Sequence, residues 1–399
     1  MTLGFKDKHF VSFLIILVCI SIFIFKNFPK PEQYYMTADE GMYFKRSMII
    51  NEMGLNGFSK ITNDFISIEQ QHYTPNPCRY LYYMCGALFV GLSPTIDSLS
   101  ILSLFCFFIT GLILYIYIKK LENEKIAFFA STLAITFPIS MGMAGRALMD
   151  SGNTLFCVWV LLSYALAIKE PNRNNWIVFA IVSFISFFYK ESNFFVVPFF
   201  ALFSFYLIYT KKTQLTYRSF FYFHVLPPVI AIVGYILFVG GIEKINQVIH
   251  IMETTRIEYV FYWGKGPWYQ YLIEFSILSL ATMILFFSGI FDLKKHPKQK
   301  HFLLLLLTFF VFSLIVYTFI PKNIRFFYNC FIVCTLFASH KLLSIKFSSN
   351  TKIQNVFPYI FVTIIGISHC LIYYNLFKIN NMYDPTFFEI VKYFNFIPA

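Results

Sequence analysis

This sequence predicts an all-α polytopic membrane protein, and three observations carry the prediction. Of its 399 residues, 58% are hydrophobic and only 13% charged, about half the charged share of a soluble domain. The apolar residues collect in runs near the ~20 residues that a helix needs to span hydrocarbon. The Lys and Arg behind the net charge of +12 sit in short stretches between those runs. That is the pattern of topology signals and anionic headgroups, so the charge does not call for nucleic acid.

Spanning runs fall near 10–28, 97–118, 126–143, 153–168, 176–189, 193–210, 219–239, 268–290, 302–320, 325–345 and 355–376, which makes about eleven transmembrane helices. The first run, Phe10 to Phe25, has no small-residue cleavage site after it and reads as a retained anchor. The stretch Tyr80 to Leu92 is apolar but 13 residues long. If it does not span and the N-terminus is inside, Lys119, Lys120, Lys125, Lys169, Arg173, Lys211, Lys212, Arg218 and Lys341 all fall on the cytoplasmic side. Residues 80–92 therefore read as a helix in the outer interface, with Tyr80, Tyr82 and Tyr83 at headgroup depth.

One membrane domain, 1–399, accounts for the chain. Its extracytoplasmic parts are a long first loop at 29–97 carrying juxtamembrane helices, a second long segment at 240–267, and a short tail at 377–399. Eight cysteines are present, with no CxxC and no metal-type Cys/His spacing. Most lie inside apolar runs as small buried hydrophobes; Cys78 and Cys85 are near enough in sequence to pair.

Charges on the outer side are few. Asp39 and Glu40 open the first loop, Arg146 and Asp150 flank a short loop, Lys190 and Glu191 form most of the next, and Lys322 and Arg325 form a later one. Helix ends tie these loops together, so the groups can converge. Carboxylates beside cations suit a reaction on a phosphate-linked substrate: an acid serves as general base, and Lys or Arg holds the phosphate as it leaves. Each also has a plainer reading. Asp39-Glu40 reads equally as a solvated pair, Arg146 and Asp150 as an i, i+4 ion pair, Lys190-Glu191 as a local turn pair, and Lys322 and Arg325 as snorkelling anchors. His72 reads as a surface histidine. In the second outer segment, Arg256, Glu258, Tyr259 and Tyr262 suit acceptor recognition or an amphipathic interfacial helix.

The order of these residues resembles the GT-C glycosyltransferases of the protein O-mannosyltransferase and lipid A aminoarabinose transferase type. Ala38-Asp39-Glu40-Gly41-Met42-Tyr43 is similar to the acidic motif after helix one. His72-Tyr73-Thr74-Pro75-Asn76-Pro77, running into Leu81-Tyr82-Tyr83, is similar to the proline pair and aromatic juxtamembrane helix. Gly145-Arg146-Ala147-Leu148-Met149-Asp150, Tyr189-Lys190-Glu191, Gly266-Pro267-Trp268-Tyr269-Gln270-Tyr271 and Arg325-Phe326-Phe327-Tyr328 resemble the later motifs, in order. The chain departs in the Asn76 that splits the proline pair, in Phe327 where tyrosine is usual, and in having only a short tail.

The resemblance implies transfer of a sugar, with inversion, from a polyprenyl phosphate to a lipid, glycan or protein acceptor on the extracytoplasmic face. Asp39 would be the base, with Glu40 beside it. Lys190 and Arg325, joined by Lys322, would hold the phosphate. Tyr43, Arg146, Asp150, Glu191 and Tyr328 would shape the pocket. No cofactor is required on this reading, and a divalent cation has room. The alternatives are a transporter or flippase of a lipid-linked saccharide and another cell-surface glycan polymerase or ligase. A bacterial inner membrane is the expected location, with an intracellular eukaryotic membrane second.

Overall fold

The computed structural model describes residues 7–213, 215–263, 266–293, 300–319, 323–346, 351–383 and 385–393, and every regular element among them is helical. A bilayer demands this. No water inside it can satisfy a backbone N–H or C=O, so each segment must bond its own.

In chain order the helices begin with α1 (Lys8–Lys26), α2 (Asp39–Met53), α3 (Asn56–Ser67), α4 (Tyr80–Leu92), α5 (Asp97–Leu121), α6 (Glu124–Thr136) and α7 (Pro138–Gly145). There follow α8 (Asp150–Lys169), α9 (Arg173–Tyr189), α10 (Asn193–Val196), α11 (Pro198–Tyr209), α12 (Tyr217–Phe220), α13 (Leu226–Val239) and α14 (Ile242–Trp263). The last are α15 (Gln270–Leu278), α16 (Leu280–Phe291), α17 (Lys300–Thr318), α18 (Ile324–Phe327), α19 (Phe331–Ser344), α20 (Thr351–Tyr373) and α21 (Phe387–Tyr393). They form two compact units. The first comprises Met1–Asn27, Phe107–Ala144 and Gly266–Ala399; the second comprises Phe28–Cys106 and Gly145–Lys265.

Seven helices among the described residues are long and apolar enough to cross a membrane: α1, α5, α8, Tyr217–Val239, His301–Thr318, Ile324–Ser344 and Ile353–Ile379. The pair α6/α7, bent by 58°, makes an eighth. The chain is an integral, multi-pass membrane protein, but by this measure it does not reach eleven spans. The shortfall has local causes. Expected span 176–189 is α9, of 17 residues. Expected span 193–210 is divided into α10 and α11 ahead of Pro198. Expected span 268–290 is divided at Ser279, whose φ of −157° and ψ of 61° are not helical.

The α6/α7 bend has the same kind of origin. Phe137 precedes Pro138 and is pushed out of the helical region, to φ −55° and ψ 129°. In the first unit a buried polar chain closes near both breaks. Thr136 Oγ1 is hydrogen-bonded to His369 Nδ1 at 3.2 Å, and His369 Nε2 to Ser279 Oγ at 2.7 Å.

In the second unit, α2 lies against α4, with α3 beside it. Gly86 of α4 allows this close approach, since a Cβ there would collide with the Ser47 hydroxyl of α2. α4 is 13 residues long, about 20 Å, too short to span. The three tyrosines expected at headgroup depth turn toward the protein: Tyr80, Tyr82 and Tyr83 are buried, and Met84, Leu88 and Leu92 are the exposed large side chains of α4. For Tyr83 the cause is polar pairing. Tyr83 Oη donates to Asn76 O at 2.9 Å and accepts from Arg46 Nη1 at 2.9 Å. Cys78 and Cys85 are unpaired thiols. The side chains of Arg256, Glu258, Tyr259 and Tyr262 lie outside the described residues.

Asp7 caps α1, accepting from the amides of His9 at 3.0 Å and Phe10 at 3.1 Å. It also accepts from Tyr115 Oη at 3.1 Å and pairs with Lys119. Burial alone would raise its pKa; the Lys119 bond and charge, the Phe10 amide and Tyr115 outweigh that and hold it at about 2. A carboxyl held below its unfolded value stabilises above that value and loses the contribution as pH falls through the folded one. Asp7→Ala is therefore expected to cost about 1 kcal/mol at neutral pH, and the gap to the native protein should close between pH ~4 and ~2. Thermal unfolding in detergent across that range is the measurement.

Candidate active site

Every acid in the second unit's charged cluster is placed by a helix end. α2 starts after Ala38, so Asp39 and Glu40 lie in its first turn, where the helix dipole favours negative charge. Gly41 permits the fold-back just before it, because a Cβ there would meet the Met36 backbone. Glu40 is fully buried and accepts four hydrogen bonds: Arg146 Nε at 2.9 Å, Arg146 Nη2 at 2.7 Å, the Ala147 amide at 3.2 Å and the Tyr35 amide at 2.9 Å. The Arg146 guanidinium also lies over the rings of Tyr34 and Tyr35, at 5.8 and 5.4 Å.

Glu40 was expected beside Asp39 as a catalytic acid. In the structure both of its oxygens are bound to the buried Arg146 guanidinium. Its neighbour Asp39 is half-buried. The lock on Glu40 fixes the backbone that carries Asp39.

Asp150 opens α8, and Lys190 follows α9. The two helices pack together, and Lys190 Nζ donates to Asp150 Oδ1 at 3.1 Å, both groups buried. The plainer readings of these residues are thus replaced by longer-range pairs. Arg146 turns to Glu40, Asp150 to Lys190, and Glu191 to Arg79. Arg79 binds Glu191 through Nε at 3.1 Å and Nη2 at 2.7 Å, and its Nη1 donates to Tyr43 Oη. Burial works against the Glu191 carboxylate, but the charge and bonds of Arg79, helped by Lys190, hold its pKa below the usual range. Burial raises the Tyr43 phenol, which stays protonated.

Arg79 was not picked out from the sequence, although it lies two residues after the Pro75-Asn76-Pro77 motif. Arg46 was missed too, having no motif around it. It is buried, and all its acceptors are neutral: Pro75 O, Tyr83 Oη at 2.9 Å and Thr74 Oγ1 at 2.8 Å. Among the described residues no carboxylate bonds to it. His72 contacts Ile66 O at 3.3 Å, beside the cluster's supporting loop.

The remaining candidates belong to the first unit. Arg325 is buried in α18, its amide donating to Asn323 Oδ1 at 3.0 Å and its guanidinium lying over Phe326 and Tyr383. Tyr328 is buried in the turn that follows. Lys322 lies outside the described residues. The structure adds Glu274, fully buried in α15 and accepting from Gln270 Nε2 at 2.9 Å. The sequence hides it inside an apolar run.

Of the acids in this cluster, Glu40, Asp150 and Glu191 each face a cation, and Asp39 is half-buried. Asp7, His9 and Glu124 in the first unit bring three donor atoms within 4.8 Å. Asp7 there is paired with Lys119, and His9 Nε2 is hydrogen-bonded to Tyr359 Oη at 2.7 Å.

Removing one member of a buried pair strands the other charge. Arg146→Ala is expected to cost about 3–5 kcal/mol. Glu40→Gln combined with Arg146→Met should cost less than the sum of the single changes. Denaturation of the four proteins in one detergent measures the coupling.

Comparison with protein-family models and with curated sequences gives no match. Solved structures do match. The crystal structure of ArnT from Cupriavidus metallidurans bound to undecaprenyl phosphate aligns with 96% of this chain and 74% of its own, at 10% identity and a TM-score of 0.55. The Archaeoglobus fulgidus oligosaccharyltransferase, in complex with Zn and sulfate, aligns with 90% of this chain at 13% identity and a TM-score of 0.53. The same enzyme tethered to an acceptor peptide gives 14% identity and 0.51. This chain spans about half the oligosaccharyltransferase, 52% and 55% in the two alignments. Both neighbours are GT-C superfamily members, and the fold of this chain is the GT-C fold.

Proposed function

We propose that the chain is a membrane glycosyltransferase that moves a sugar from a polyprenyl phosphate to a hydroxyl-bearing lipid, glycan or protein acceptor. The observation that carries this reading is the second unit's cluster: the half-buried Asp39 at the start of α2 follows directly on the fold-back locked by Glu40–Arg146, and Tyr43 one turn on feels both Asp39 and Arg79, with Lys190 paired to Asp150. The fold supports it. One neighbour binds undecaprenyl phosphate and another an acceptor peptide.

In the proposed reaction the acceptor oxygen forms a bond to the anomeric carbon as the bond from that carbon to the phosphate oxygen breaks, inverting the centre. Asp39 takes the acceptor proton. The polyprenyl phosphate leaves as an anion, so it needs cations more than a general acid. Arg79 suits that role. A guanidinium has five N–H donors, and Glu191 and Tyr43 take three of them. Lys190 adds a second charge, and Arg325 keeps the phosphate-holding role that the resemblance assigns it. Glu40, Arg146 and Asp150 position these groups. The face is the extracytoplasmic one by the distribution of Lys and Arg, and a bacterial inner membrane remains the proposed site.

The test is donor turnover by full-length protein in liposomes, with a panel of polyprenyl-phosphate sugars and crude envelope acceptor. Native protein should release polyprenyl phosphate, and Asp39→Asn should lose about 10²–10⁴-fold in rate. Arg79→Gln should weaken donor use roughly 10- to 100-fold, with Arg79→Lys between it and the native protein. Full turnover by Asp39→Asn would remove the base assignment. Labelled lipid crossing the bilayer with no release would replace the enzyme with the transporter reading.

A further inference from the structure

The second unit holds a cavity at the other end of the helices that carry its polar cluster. α8 and α9 form a hairpin. Asp150 and Lys190 stand at its open end, and the turn at 170–172 closes the other. With 20 residues in α8 the two ends are about 30 Å apart, one hydrocarbon thickness.

Beside that turn lies a cavity of about 680 Å³, lined by Arg173, Trp176, Leu215, Arg218, Tyr222 and Phe223 among others. No acidic residue lines it among the described residues. Arg173 is the first residue of α9 and Arg218 lies in α12; both are exposed, and neither is paired with a carboxylate among the described residues. Arg173 adds a cation to the positive end of a 17-residue helix, where an anion relieves both charges.

The walls suit a lipid. Tyr222 and Phe223 belong to a π turn at Phe221–Val225, a geometry often found at functional sites. Phe223 stacks on Trp176 at 5.9 Å. The turn is anchored from inside by His224, whose Nε2 is hydrogen-bonded to Ser204 Oγ at 2.9 Å. The π turn also lies near the start of the apolar span Tyr217–Val239. Tyr217 and Phe221 are 63% and 50% exposed there, an aromatic rim of the kind that sits at headgroup depth.

We propose that this cavity binds the phosphate of an anionic glycerophospholipid from the leaflet opposite the Asp39 cluster. Arg173 and Arg218 take the phosphate, and the acyl chains run along the exposed aromatic rim. The continuity of a charged cavity with an apolar span favours a lipid over a soluble phosphate. The proposal does not depend on the transferase reading.

The experiment uses the full chain in nanodiscs of phosphatidylglycerol or phosphatidylcholine, with unfolding temperature and lipid retained in native mass spectrometry as readouts. Native protein should be more stable in phosphatidylglycerol and keep that lipid bound. Arg173→Gln combined with Arg218→Gln should lose the difference and retain the lipid roughly 30-fold less well. Lys169→Gln combined with Lys212→Gln removes the same charge outside the cavity and should keep both effects. An unchanged lipid preference in the arginine variant would overturn the proposal, as would equal loss in the lysine variant. Inorganic phosphate in phosphatidylcholine discs reproducing the stabilisation would overturn it in favour of a soluble anion. Lipid retention is read on whatever folded fraction survives, so an unstable variant still gives a result.

Discussion

A carboxylate and a guanidinium buried together at the start of α2 set the arrangement on which the second unit's cluster depends. Glu40 and Arg146 are 106 positions apart in the chain, and desolvating both is costly. Two parallel bonds, two backbone amides and two flanking aromatic rings offset that cost. The pair joins the first turn of α2 to the turn that leads into α8. Asp150 leaves that turn in α8 and meets Lys190, and the next residue, Glu191, meets Arg79 and through it Tyr43. Each pair thus fixes the backbone from which the next is presented.

This order separates the carboxylates that are fully engaged by cations from the one that is not fully buried. Glu40, Arg146 and Asp150 are buried and saturated by charged partners. Asp39 shares the first turn of α2 with Glu40 and is half-buried. Arg79 has donors beyond those its partners use, and Arg46 contributes a buried charge held only by neutral oxygens.

The bilayer places the rest under a different constraint. Its helices must bond internally, so each break needs a cause and a remedy. Pro138 and Pro198 supply causes, and the Thr136–His369–Ser279 chain supplies a remedy near two of the breaks. Arg173 and Arg218 mark the other end of the α8–α9 hairpin, where cations collect in short loops. The hairpin has two chemically distinct ends: Asp150 and Lys190 are paired at one, and at the other Arg173 and Arg218 have no carboxylate partner among the described residues.

The sequence by itself determined the class of fold and the membership of most of the cluster. Long apolar runs have no stable state in water, and scarce charges in an apolar chain stand out as candidates. It also carried the non-spanning length of α4 and the order of the motifs around Asp39, Arg146 and Lys190. Three things it could not carry. The division of apolar runs at Phe137, Ser279 and Pro198 depends on backbone angles that hydropathy does not register. Tyr80, Tyr82 and Tyr83 read as interfacial residues by type, yet all three are buried, Tyr83 with its hydroxyl held by the buried Arg46 and a loop carbonyl and the other two among aromatic rings. Which acid meets which cation was decided only by tertiary structure. Sequence proximity favoured Arg146 with Asp150 and Lys190 with Glu191, but packing of helix ends brought in Glu40 and Arg79, because a buried charge takes the partner that the fold places at hydrogen-bond distance and not its neighbour in the chain.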